Sequence, residues 1–448
     1  MKLSKFNMFF NISPNFTVIY NALHDSLVLV DKETERSLRE GNLANIPSDS
    51  KEFKNLLRTG VLVEDNVDED SLLQKKRLEL SLSHKYMGLW LSLTNKCNLA
   101  CKYCYQSTRA LMEGEDLSPE RWHKVYSYII RKVKEGLKVI TMTLYGGEPL
   151  LNPSMALRII KDLDLLAQEF DVVSGVGLIT NGTVYNDDVG EIFERVFQVQ
   201  ITIDGPREVH NERRPFKSGE GSFDVIFNNL VKIIDRHKTR VSLRVNVDEH
   251  NVDYVEDFIN MLAELRLRDR IAGIDLSPVQ PDQAVRYVPF KTSKNYYEYY
   301  INISRKIVDL LEYAVEKGFK IGRVITWWPC MCKLKQSYAV DEKLNLYYCP
   351  GFMYSPVGYI GYISQDDVVL VSAAKERIVT NIPSCAYNCK LGPVCYGGCV
   401  YLESLGIPVC PYILYGEEYL ERLVRAYVLS RYREVIARAG DSGGRQGY

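Results

Sequence analysis

The placement of eleven cysteines constrains this chain more than any other feature. Cys97, Cys101 and Cys104 fall in one short stretch, the other eight lie between positions 330 and 410, and 105–329 holds none. An odd total fits poorly with complete disulfide pairing. So many thiols are also unusual for a reducing compartment, where disulfides seldom persist. Clustering of this kind points to metal or cluster ligation in two places. The formal net charge of −1 gives no basic field for nucleic acid and no polybasic attraction to an anionic membrane. The start lacks the apolar run of a signal peptide, and no apolar stretch approaches the ~20 residues that would span a bilayer. A cytoplasmic protein without nucleic acid or membrane partners is expected.

At roughly 100–200 residues per domain, 448 residues suggest two to four domains. Residues 1–80 read as a separate unit. Strand-like runs at 16–20 and 26–30 flank a short turn, a helical run at 32–38 follows, a second helix closes near Gly60, and 61–65 returns as a strand. That order suggests a winged-helix-like module. From 85 to 318 strands and helices alternate, with strands at 89–94, 140–145, 177–180, 200–204, 242–248 and 271–277. Ser118-Pro119 and Asn152-Pro153 open helices, and 222–234 carries helical apolar spacing. Six such units imply an α/β fold with a parallel sheet and right-handed crossovers, best read as a partial (β/α)6 barrel. The segment 319–415 is cysteine-rich, has little periodicity and looks organised by metal. Residues 416–437 read as an amphipathic helix within a 416–448 tail, frayed from 442.

Cys97-Asn98-Leu99-Ala100-Cys101-Lys102-Tyr103-Cys104 directly follows the first strand of the α/β unit, at the end of a barrel where active sites gather. Three thiolates in one loop can bind three irons of a [4Fe-4S] cube, where a complete set uses four. A structural zinc site lacking one ligand is the alternative. The C-x3-C-x-aromatic-C spacing, with Tyr103 as the aromatic, resembles the signature of the radical S-adenosylmethionine (SAM) superfamily. The resemblance implies that the SAM amino and carboxylate groups occupy the fourth iron. It also implies that Gly146, Gly147 and Glu148, which end the second strand, hold the SAM amino group. Thr202 and Arg214 match the segment whose Ser and Arg bind the SAM carboxylate; Thr202 keeps the hydroxyl and Arg214 offers a bidentate guanidinium. Asn181, in Thr180-Asn181-Gly182, is either a ribose-side contact or part of a plain turn.

Eight further thiols suffice for two four-cysteine sites and, with the first three, account for all eleven. The run resembles the SPASM domain, which carries two auxiliary [4Fe-4S] clusters, three clusters in all. The family's interleaved ligation implies one set of Cys330, Cys332, Cys349 and Cys399 and another of Cys385, Cys389, Cys395 and Cys410. Cys385-x3-Cys389 is one residue longer than the usual spacing, and Cys330-x-Cys332 is unusually tight. These departures leave one auxiliary iron open to substrate as an option, and two four-cysteine zinc sites remain the alternative.

The resemblance extends to maturases of ribosomal peptides with an N-terminal peptide-recognition element. It implies that residues 1–80 capture a precursor by its leader, as a strand added to a sheet edge. Acidic residues toward the end of this segment argue against a DNA-binding winged helix. Thioether cross-linking of a Cys sulfur to carbon is the expected reaction, with carbon–carbon cross-linking, epimerisation or formylglycine formation in a sulfatase as alternatives. In sulfatase maturases of this type an Asp follows an auxiliary-ligand Cys; here Pro350 follows Cys349. A non-enzymatic iron-sulfur scaffold would not need an open iron. The electron donor would be a flavodoxin or ferredoxin. The sequence identifies no catalytic base, although Tyr338, Asp341, Tyr347 and Tyr348 lie near cysteines.

Overall fold

In the first eighty residues, side-chain caps set the helix starts. The computed structural model describes residues 1–106, 114–280, 293–322, 329–365, 367–371, 374–407 and 409–441. The first strands are β1 (Lys2–Leu3), β2 (Asn7–Asn11), β3 (Phe16–Asn21), β4 (Ser26–Asp31) and β5 (Leu62–Val63). Asp31, Ser50 and Asp68 accept backbone N–H bonds at the starts of α1 (Lys32–Glu40), α2 (Lys51–Arg58) and α3 (Glu69–Ser81), satisfying donors that a helix start leaves unpaired. β2, β3 and β4 form an antiparallel sheet, while β1 pairs with β5. β2 carries no clear strand signal, because Asn7 and Asn11 flank it and Asn is depleted in strands. Asn7 is tolerated because its amide donates to the Val61 carbonyl at 2.8 Å and its side-chain oxygen accepts from Asn21, also at 2.8 Å.

Six parallel strands follow: β6 (Tyr86–Ser92), β7 (Val139–Tyr145), β8 (Val173–Thr180), β9 (Gln198–Thr202), β10 (Arg240–Val247) and β11 (Gly273–Pro278). Each pairs with its sequence neighbour. Along β7, Ile140, Met142 and Leu144 are buried while their neighbours are half-buried, which divides the strand between two faces. Helices such as Pro119–Lys134 and Pro153–Phe170 supply Trp122, Ile129, Ile159 and Leu163 to the same core. Ser118 caps the first of these as expected, its oxygen accepting from Arg121 N. Asn152 makes no cap bond to the second. Its amide instead donates to the Leu93 carbonyl at 3.1 Å, tying that helix to the end of β6.

The cysteine-rich tail, whose sequence has little periodicity, nevertheless contributes regular strands. Its strands β12 (Ser337–Val340), β13 (Asn345–Tyr347), β14 (Tyr359–Ile363) and β15 (Val368–Leu370) continue the six-stranded sheet beyond β6, making ten strands in all. β12 runs parallel to β6, and the others join as an antiparallel meander. These strands are three to five residues long, and the edge strand β15 is largely exposed, so their sequence period is weak. The helix expected at 416–437 spans Gly416–Asp441; the fraying expected from 442 lies outside the described residues.

The N-terminal unit shares a core with the tail. Phe6, Met8 and Phe10 of the first residues, Leu73 of α3, Ala386 and Leu391 of the tail, and Leu420, Val424 and Val428 of the long helix are buried in one apolar cluster. Val428→Asp would place an unpaired carboxylate at a position that is 1% exposed, at a cost of several kcal/mol. The variant should unfold at a lower temperature and become protease-sensitive within residues 1–80. An unchanged melting temperature and digestion pattern would contradict the shared core.

Candidate functional site

The loop that bears Cys97, Cys101 and Cys104 is held from two sides by backbone hydrogen bonds. On one side Ala100 N donates to Pro215 O at 2.8 Å, Lys102 N to Arg213 O at 2.9 Å, and Lys217 N to Asn98 O at 3.0 Å. On the other, Gly147 N donates to Thr94 O and Glu148 N to Lys96 O, both at 2.8 Å. This contact explains the glycine pair. A Cβ on Gly146, whose φ is +136°, would stand 2.3 Å from Thr94 O, and one on Gly147 would stand 2.2 Å from Lys96 O. Such approaches admit glycine alone.

Glu148 is fully buried at this junction. Its Oε1 accepts from Leu150 N at 3.0 Å and from Thr180 Oγ1 at 2.7 Å, and Oε2 accepts from Asn181 N at 2.6 Å. Burial raises its pKa against these bonds. The carboxylate therefore ties the end of β7 to the end of β8, and Oε2 keeps a lone pair for a further donor. Asn181 faces the cysteine loop: its amide donates to Asn98 Oδ1 at 2.9 Å and lies 3.8 Å from Cys97 Sγ. Its oxygen accepts from both the amide and the hydroxyl of Thr183.

Arg214 and Tyr103 meet beneath the loop. The Tyr103 hydroxyl donates to Asp204 at 2.5 Å and accepts from Arg214 Nη1 at 2.8 Å and Asn246 Nδ2 at 3.0 Å. Arg213 lies over the Tyr103 ring, 5.0 Å from its centroid, and is paired with Asp248 at 2.6 Å. Burial works against the Asp204 charge, but Arg213 and Arg214 hold its carboxyl below the usual range. Burial pushes the Cys101 thiol up to about 12, with Arg214 as the main opposing charge. Arg214 keeps a buried Nε without a hydrogen-bond partner, so a charged donor remains available beside Cys101. Thr202 is buried at the end of β9, paired in register with Arg244. Three thiols, a guanidinium and an amide thus converge at the C-terminal ends of parallel strands, and this donor set suits an iron-sulfur cluster with an anionic co-ligand.

The tail cysteines gather in two groups. A 3-10 turn at Met331–Lys333 folds Cys330 and Cys332 together, which accommodates their tight spacing. Cys330, Cys332 and Cys349 lie close enough to interact with one another, as does Cys399 with Cys349 and Cys330, and the Cys332 thiol donates to the Tyr348 carbonyl at 3.4 Å. In the second group Cys389 is near Cys410 and Cys385, while Cys395 is near Cys389 and Cys410. The turn Ser384–Tyr387 takes up the extra residue between Cys385 and Cys389. All eleven cysteines are free thiols. Among the described residues no three His, Cys, Asp or Glu side chains converge closely enough to hold one metal ion.

Several residues here carry little sequence signal. Lys375 is fully buried beside the first tail group, and its Nζ donates to the carbonyls of Met331, Cys332 and Ser337 at 2.9–3.2 Å. Burial pulls its pKa down to about 8, while Cys332, Cys330 and Cys349 act the other way. Tyr105 bridges the two regions, hydrogen-bonded to Tyr145 and to the Pro350 carbonyl, both at 2.9 Å. Asp341 is committed to a turn, accepting from Lys343 N, Asn345 N, the Asn345 amide and Tyr347. Lys375 and Tyr105 are recognisable only from their neighbours in space.

His210 anchors the Arg214 segment and gives a pH signature. Its Nδ1 accepts from Asp204 N at 3.1 Å, and its Nε2 is 3.1 Å from Ser222 Oγ, which donates to the Arg214 carbonyl. Burial, with Arg214 assisting, lowers its pKa to about 3. The folded protein holds this ring neutral while the unfolded chain protonates it below about 6.5. Stability present above that pH is therefore lost as pH falls toward 3, by about 1.4 kcal/mol per pH unit. Between pH 6.5 and 5 wild type should lose on the order of 2 kcal/mol more than His210→Gln. Parallel losses in denaturant unfolding would show that His210 is not held neutral.

Residues 91–262 match the Radical SAM superfamily. Over 174 residues the chain is 29% identical to the serine-type anaerobic sulfatase-maturating enzyme of Bacteroides thetaiotaomicron, covering 38% of this chain and 41% of that protein. Over 175 residues it is 30% identical to the sporulation killing factor maturation protein SkfB of Bacillus subtilis, covering 39% and 38%. The chain thus spans about two fifths of the length of these relatives. The solved structure of native anSMEcpe with bound AdoMet and Cp18Cys peptide shares the fold, with a TM-score of 0.53 at 16% identity over 79% of this chain and 99% of that one.

Proposed function

We propose that this chain, whose residues 91–262 are a radical SAM domain, is a maturase that forms a thioether cross-link in a ribosomally made precursor peptide. The observation that carries the SAM chemistry is the meeting of Cys97, Cys101 and Cys104 with the partly unpartnered Arg214 guanidinium. When bound, a [4Fe-4S] cluster and SAM supply a 5′-deoxyadenosyl radical that takes a hydrogen atom from substrate. The chain's own residues would position this chemistry. Arg214 would receive the SAM carboxylate, Oε2 of Glu148 the amino group, and Thr202 and Asn181 would flank them. Tyr103 holds Arg214 in place through its hydroxyl.

The two tail groups would hold auxiliary clusters in a SPASM domain, able to accept the electron left when the substrate radical is oxidised. The sheet β2–β3–β4 would receive the precursor leader along an edge, and a flavodoxin or ferredoxin would supply electrons. SkfB is by name a maturation protein, in keeping with this reading. The sulfatase-maturing relative favours a second reading, formylglycine formation. Against it, Pro350 follows Cys349 and its carbonyl accepts from Tyr105, while the nearby Asp341 is spent on its turn.

Mass spectrometry of a precursor peptide encoded beside this gene, after anaerobic co-expression and thiol alkylation, tests the reaction. Loss of two hydrogens with cysteines protected from alkylation is the expected result. The same loss with alkylated cysteines would indicate a carbon–carbon bond instead, and an unchanged mass would redirect the search to epimerisation or a sulfatase. Cys101→Ala should abolish reductive SAM cleavage while leaving tail iron in place. Cleavage at the wild-type rate would refute the cluster assignment.

A further inference from the structure

Arg77 lies on α3 of the N-terminal unit yet is buried against the second group of tail cysteines, with 3% of its surface exposed. Its Nη2 donates to the Gly392 carbonyl, between Cys389 and Cys395, and its guanidinium sits 4.6 Å from the Tyr396 ring centroid. Nε and Nη1 are buried with no hydrogen-bond partner among the described residues. The groups that oppose the burial of its charge are Tyr396, Cys395, Tyr387 and Cys385; no carboxylate is among them. Arginine does not shed its proton in proteins, and an uncompensated buried charge costs several kcal/mol. A permanent cation in this position calls for an anion. Four thiolates on an oxidised [4Fe-4S] cube outweigh its positive charge and supply one.

We propose that Arg77 is the buried charge partner of an iron-sulfur cluster held by Cys385, Cys389, Cys395 and Cys410, supplied by the N-terminal unit to set that cluster's reduction potential. The proposal rests on the reading that these four cysteines hold a cluster. Arg77 is a positioning residue and touches no substrate. A fixed cation favours the more negative, reduced form, so its presence raises the potential. The same contact makes the cluster sensitive to the unit proposed to bind the leader, because α3 carries Arg77 on its buried face beside Leu73 and Ser81.

The test is an EPR-monitored redox titration of the full-length, anaerobically reconstituted protein. Arg77→Gln should lower the reduced-to-oxidised ratio of one cluster at least tenfold at fixed potential, a shift of about 59 mV for a one-electron couple. The other two midpoints should hold, and Arg77→Lys should recover most of the shift. An unchanged midpoint with the cluster intact would overturn the role of Arg77. If wild type itself lacks a cluster at these cysteines, the ligation reading fails and the proposal with it. Should Arg77→Gln lose iron, cluster-free protein decides. There Arg77→Met should unfold no earlier than wild type, since the charge has lost its anion, whereas a lower melting temperature would mark Arg77 as a purely structural strut.

Discussion

The burial of positive charge beside thiols is the constraint on which the arrangement of this protein depends. Arg214 lies by Cys101, Lys375 by Cys332, Cys330 and Cys349, and Arg77 by Cys395 and Cys385. The three are 2–5% exposed, and charges buried so deeply cost several kcal/mol each unless compensated. They are compensated differently. Lys375 spends its three donors on carbonyls and can also lower its pKa. Neither arginine has that escape, and both retain unpartnered nitrogens. A neutral thiol offers such a cation little, whereas a thiolate held by iron offers a charge. The same chemistry that makes cysteine a cluster ligand therefore makes the neighbouring cation tolerable.

The continuous sheet turns three local groups into one apparatus. The loop after β6 and the turn after β13 belong to one sheet, in which β12, parallel to β6 and antiparallel to β13, lies between the two strands. The Tyr105–Tyr145 pair fills the space between them and reaches the Pro350 carbonyl next to Cys349. Trp90 of β6 packs edge-on to Tyr145 at 5.4 Å. Bulky aromatic residues fixed by hydrogen bonds at both ends hold a separation that a flexible linker could not.

Much of the α/β core was legible because its signals are local. Strand periods, the Ser118-Pro119 helix start and the Gly146-Gly147 pair each express a constraint within a few residues. All six parallel strands fall where the alternating pattern placed them, though β6 begins at Tyr86 and ends at Ser92 rather than spanning 89–94. The cysteine loop and Tyr103 were picked out by their spacing and Arg214 by the family resemblance, and the structure brings them together. The four tail strands were not, because runs of three to five residues with little alternation carry almost no period. Arg77 and Lys375 were invisible for a different reason. A basic residue on a helix is normally solvated, and what makes these two unusual lies elsewhere in the chain, 38–44 residues away for Lys375 and 315 for Arg77.

That distance also limits how the protein can assemble. Phe6 and Leu73 complete their core only against Leu391, Leu420 and Val428, and Arg77 meets Gly392 at a sequence separation of 315. The N-terminal unit is made first and cannot bury this face until the tail exists. Closing so long a loop costs entropy that must be met before the contact repays it. The tail in turn gathers eight thiols whose mutual repulsion, once ionised, opposes collapse unless iron or a cation is present. On the proposed ligation, insertion of clusters and docking of α3 would favour one another: iron would give Arg77 its anion, and Arg77 would give the loaded cage its counter-charge. By that coupling, the order of the N-terminal unit and the occupancy of the second cysteine group are linked quantities, and a change in either one shifts the other.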